Sequence, residues 1–180
     1  LLAAILALCG LAPALACSNP DNEVRILIAY STEAAAMESN WAILAGAHRL
    51  GLNNALTASG VKDGSVTLQT KIVGYYAFAA NEPLRPDPLG AWWDASQSLG
   101  MLGARELLCA DVVAVYHPTN NGSTVDLIGS SYASAAMFVV DMNTYSPRTF
   151  SHEFGHLLGA RHQASGGLSP TSNDPDPGNA

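Results

Sequence analysis

Positive charge is scarce in this chain of 180 residues: eight Lys and Arg stand against fifteen Asp and Glu, for a net charge of −7. No basic run occurs, which excludes the electrostatic footprint of a nucleic-acid binder or of a protein drawn to anionic lipid. Cysteine is sparse as well. Three residues make neither a disulfide-dense scaffold nor a Cys-based zinc site. The Asp residues lack the spacing of a calcium loop, and no segment repeats. Residues 1–16, uncharged and rich in Leu and Ala, fall short of the ~20 apolar residues that a transmembrane helix needs. What is present is 48% hydrophobic, which suits one domain with a sizeable core.

Residues 1–16 are rich in Leu and Ala and end in Ala14-Leu15-Ala16, a small-x-small cleavage pattern. They read as the hydrophobic and cleavage regions of a partial secretory signal peptide, with a buried N-terminal helix as the alternative. The expected location is therefore extracellular or periplasmic, without membrane insertion. Cys17 follows the expected cut and Cys9 would leave with the leader. Two fates stay open for Cys17: a lipid anchor, or a disulfide with Cys109 in an oxidising compartment.

Along the chain, residues 23–31 form a mostly apolar run, the pattern of a strand covered on both faces. A helix is expected over 32–58, capped by Thr32, with Met37, Trp41, Leu44, His48 and Ala55 along its packed face. His48 reads there as a core histidine rather than a ligand. Turn signals at Ser59-Gly60 and Asp63-Gly64 precede a strand over 66–78. Pro83, Pro86 and Pro88 mark a loop, and a second helix is expected over 89–108, with the Trp92-Trp93 pair in packing. Residues 111–116 read as a short buried strand, His117 as a loop histidine, 129–133 as a weaker strand, and 136–143 as the last strand. The segment 163–180, with Gly166-Gly167 and three prolines, reads as loop.

The densest chemical signal is Thr149-Phe150-Ser151-His152-Glu153-Phe154-Gly155-His156-Leu157-Leu158-Gly159-Ala160-Arg161-His162. It has the form H-E-x-x-H-x-x-G-x-x-H. Histidines four apart project from one side of a helix, so His152 and His156 can reach one metal ion. Gly159 can take the positive φ that ends a helix and turns the chain back, which brings His162 in as a third ligand. Three protein ligands leave one tetrahedral position open, the mark of catalytic rather than structural zinc. Such an ion lowers the pKa of water from ~16 towards ~7, and Glu153 beside it suits a general base and acid. Ser146-Pro147 supplies a cap and a first-turn proline for the helix. Phe150, Phe154, Leu157 and Leu158 give it an apolar face opposite the histidines.

This motif resembles that of the metzincin zinc endopeptidases. The segments 24–33, 110–115, 128–133 and 138–140 are similar to the reprolysin-like branch, including secreted bacterial enzymes of the peptidyl-Asp metallopeptidase kind. No methionine follows His162, where metzincins carry a methionine turn, and Gln163 stands where reprolysins usually have Asp, so matrixins and astacins remain alternatives. The resemblance implies an α/β (α+β) fold: a twisted mixed β-sheet with packed helices and an active-site zinc helix. It implies a catalytic domain over 17–162, with 163–180 opening a truncated lower subdomain. It also implies a Zn2+ cofactor on His152, His156 and His162, Glu153 as catalytic base, and a peptide or protein substrate. Gly129, Ser130 and Ser131 would lie on the edge strand that pairs with substrate backbone. The expected function is zinc-dependent peptide hydrolysis. A non-catalytic zinc-binding surface or periplasmic protein, or an inactive protease fragment, is the alternative.

Overall fold

The computed structural model describes Cys17 and residues 22–63, 65–120, 136–143 and 146–158. The expectations for 1–16, 129–133 and 159–180 lie outside them, among them Gly129, Ser130, Ser131, Gly159 and His162. Four strands make one sheet: β1 (Glu23–Tyr30), β4 (Gln69–Ala77), β5 (Val112–His117) and β6 (Met137–Asp141), in the order β4-β1-β5-β6. All three pairings are parallel. The sheet is thus parallel across its described strands, and the expected strand over 129–133 lies outside them. Among the described residues, antiparallel pairing occurs only in the small hairpin of β2 (Lys62–Asp63) and β3 (Val66–Thr67).

Parallel strands need crossovers, and the two from β1 to β4 and from β4 to β5 carry helices. α1 (Thr32–Met37) and α2 (Trp41–Ala58) lead from β1 towards β4, while α3 (Pro88–Gln97) and α4 (Leu99–Leu107) lead from β4 past β1 to β5. α5 (Pro147–Leu157) follows β6. Side chains alternate along each strand, so the sheet feeds two cores. Ile26, Ile28, Ala114, Tyr116, Phe138 and Val140 meet Leu44 and Leu52 of α2 and Phe150 and Phe154 of α5. Leu27, Ala29, Val113, Val115, Met137 and Val139 meet Ala91, Trp92 and Ala95 of α3 and Met101 of α4. The result is an α/β sandwich of three layers. Ile26 to Ala29 are all at 0% exposure, which explains why β1 shows no polar alternation.

Each expected long helix is two. The first breaks at 38–40, where the Asn40 side chain accepts from the Ile43 N–H. Ser31, not Thr32, caps its first part by accepting from the Ala34 N–H at 3.1 Å. The buried face of α2 is Leu44, Ala45, His48, Leu52 and Leu56; Met37 belongs to α1 and is 50% exposed. The second helix breaks at Ser98, an extended residue that ends α3 and whose hydroxyl accepts from the Met101 N–H to start α4. Serine competes well for a helix start because its short side chain reaches an orphan N–H. The expected strand over 66–78 is likewise interrupted at Leu68, whose N–H donates to Val61 O at 3.2 Å. None of the helices described is long and apolar enough to cross a membrane.

Candidate metal centre

α5 begins as its sequence prescribes. Ser146 Oγ accepts from the Thr149 N–H at 3.1 Å, and Pro147 fills the first turn. Phe150 and Phe154 are each 1% exposed and anchor the helix. The Phe150 ring packs on Phe138 at 5.1 Å and on His48 at 5.3 Å between centroids. Leu157 packs on the same core only in part. Leu158 was expected on this apolar face but stands at the C-cap, 46% exposed, because the helix ends before it can turn inward.

The histidines do not lie opposite the core. At ~100° per residue, His156 falls at the border of the buried arc and His152 just beyond it. His156 is accordingly 5% exposed and Glu153 2%, while His152 is exposed. The two Nε2 atoms stand 3.1 Å apart, with the rings nearly perpendicular and their centroids 4.5 Å apart. The same spacing suits two ligands of one ion, since Zn–N distances of ~2.05 Å at a tetrahedral angle set the nitrogens ~3.3 Å apart. At 3.1 Å, His152 and His156 come close to that spacing. They supply two ligands, and among the described residues no group of three His, Cys, Asp or Glu could hold a metal. His162, the expected third, is not among them.

Behind α5 lies a polar pair inside an apolar layer. His48 Nδ1 and Tyr116 Oη are 2.6 Å apart, at 1% and 0% exposure. Burial pushes the His48 imidazole down to about 4. His48 is thus a core histidine, as its helical position implied, but its partner Tyr116 is 68 residues away and no sequence pattern marks it. His117 corrects its expectation: it is not a loop residue but the last residue of β5, 3% exposed, with Nδ1 2.9 Å from Ser31 Oγ. Burial lowers its pKa, opposed by the charges of Glu33 and Asp141. Trp92 is core, donating its indole N–H to Met137 O at 3.3 Å, whereas Trp93 is 46% exposed.

Comparison with known proteins finds no matching family model and no matching curated protein. Seven solved chains match. One belongs to a structure described as a chaperone-substrate complex, with a TM-score of 0.63 and 21% identity over 80% of this chain and 24% of that one. The chain spans about a quarter of that protein's length, and the likeness is one of fold.

Proposed function

We propose that this chain carries the zinc-binding part of a secreted metzincin-like endopeptidase. The observation that supports it best is the convergence of His152 and His156, Nε2 to Nε2 at 3.1 Å, with Glu153 between them in sequence. His162 completes the ligand set in this reading. Zinc, when bound, supplies a Lewis acid that acidifies water and polarises a carbonyl. Glu153 would take the attacking water's proton on its carboxylate and return it to the departing amine nitrogen. The outer edge of β6 has no strand beside it among the described residues. In this reading Gly129, Ser130 and Ser131 would pair with an extended substrate backbone.

The test is zinc content after dialysis, followed by cleavage of a peptide library. About one zinc per chain is expected, lost in His156→Ala. Glu153→Gln should keep the metal and lose cleavage by roughly 10²–10⁴-fold, the range of general acid–base catalysis. Wild-type cleavage in Glu153→Gln would refute the assigned role. Zinc retained in both proteins with no turnover in either would instead favour a zinc-binding protein without protease activity.

A further inference from the structure

The turn that ends α4 places a cysteine where helices ordinarily use glycine. The Cys109 N–H donates to Glu106 O at 3.1 Å and the Ala110 N–H to Arg105 O at 2.9 Å. These are the paired bonds of a Schellman stop, whose first residue past the cap is left-handed. Cys109 adopts that conformation at φ 51°, the one non-glycine residue among those described with a positive φ. A Cβ is disfavoured there, so the position is held for another reason. That reason is its sulfur, which is bonded to Cys17 across a separation of 92 residues, with the Cα atoms 5.5 Å apart.

The surroundings are already fastened without the bond. The Arg25 N–H donates to Asp111 Oδ2 at 2.7 Å, the Asp111 N–H to Arg25 O at 2.8 Å, and Arg25 Nη2 to Leu108 O at 2.8 Å. The bridge therefore does not create the pairing of β1 with β5. It ties the segment before β1 to a turn already held by these bonds, and closes a loop holding β1 to β4 and α1 to α4.

We infer that Cys17–Cys109 is a redox latch: the domain reaches full stability only where thiols are oxidised, and the Cys17 sulfur serves this bond rather than a lipid thioether. A disulfide sulfur has no thiol to donate to an acyl-glycerol transfer. The latch closes by exchange with a disulfide-bearing oxidant. One cysteine thiolate attacks the oxidant's disulfide, the second displaces the mixed disulfide, and the oxidant departs as a dithiol carrying two electrons and two protons. Closing a loop of this length restricts the unfolded chain, and bridges of this class shift the folded-to-unfolded ratio by roughly 30- to 1,000-fold. The inference is independent of what α5 binds.

The test uses the full chain with Cys9→Ser, made in an oxidising compartment. In urea, iodoacetamide should label no thiol until dithiothreitol is added. Urea unfolding should show the ratio falling by that factor on reduction, to the level of Cys17→Ser/Cys109→Ser. Cys17→Ser/Cys109→Gly should recover several-fold over that double variant, because glycine accepts the positive φ. A reduced chain too unstable to fold would mark the largest expected loss. Two reactive thiols before reduction, an acyl mass on Cys17, or an unfolding midpoint indifferent to reductant would each overturn the latch.

Discussion

Lowering the pH from 7 to 4.5 should weaken this domain from inside the α2–α5 layer, because His48 is buried neutral. Its imidazole titrates near about 4 in the folded chain against 6.5 when free of the fold. The folded state therefore binds fewer protons than the unfolded state between those values. Stability contributed by the neutral group is fully present above pH ~6.5 and falls as pH drops towards the folded value. At pH 4.5 the two titrations differ by about 2.5 kcal/mol. No discount for solvent screening applies at 1% exposure. Against a total of ~5–15 kcal/mol for a domain, that is a large share.

The comparison that isolates His48 replaces both members of the polar pair, as His48→Leu/Tyr116→Phe. Removing the imidazole alone would also take from the buried Tyr116 hydroxyl its bond to His48, a separate penalty of ~1–3 kcal/mol. Urea unfolding at a series of pH values, followed by tryptophan fluorescence, gives the stability of each protein. Carboxylates and His117 titrate in both and cancel in the difference. The parent should lose about 2.5 kcal/mol more than the double variant over this range. Equal losses in the two proteins would refute the neutral buried state of His48.

Three further outcomes are expected. Phe150→Ala should remove ~3–5 kcal/mol in urea unfolding, the usual toll of an emptied aromatic site, because its ring is enclosed by His48, Tyr116 and Phe138. Gly51→Leu should lose ~1–3 kcal/mol by overpacking and also lower zinc uptake, since even a Cβ there would stand 3.1 Å from Pro147 Cβ at the start of α5. Ser98→Ala should lose ~1–2 kcal/mol, because its hydroxyl caps α4 and also donates to Glu82 Oε1 at 2.6 Å; chemical denaturation reads this directly.

What was legible in the sequence is what short-range geometry determines. The apolar run of β1 announces a strand buried on both faces, and Ser146-Pro147 announces the start of α5, because in each case the deciding atoms lie within a few residues. The helices over 32–58 and 89–108 were readable as helical but not as pairs. Apolar spacing continues across both breaks, while the break itself depends on Asn40 and Ser98 winning a local competition for an N–H. The order of the strands was not readable, since β1 pairs with β4 and β5 through contacts that no local pattern encodes.

The candidate site divides in the same way. Two histidines four apart on a helix must present their rings to one side, so the approach of His152 and His156 follows from helix geometry alone. Which part of that side faces the core does not follow, because burial is decided by what packs against α5. Phe150 and Phe154 turn the helix into the sheet, and their arc carries Glu153 and His156 inward with it. The partners that complete the surroundings are remote: Tyr116 for His48, Ser31 for His117 at a separation of 86, and Cys17 for Cys109 at 92. Tyr116 and Ser31 look ordinary in sequence, and only the fold gives them a role, whereas the Cys17–Cys109 pairing was one of two fates that the sequence left open. The chemistry proposed for α5 is therefore written in the motif, while the environment that would tune it is written in the tertiary packing.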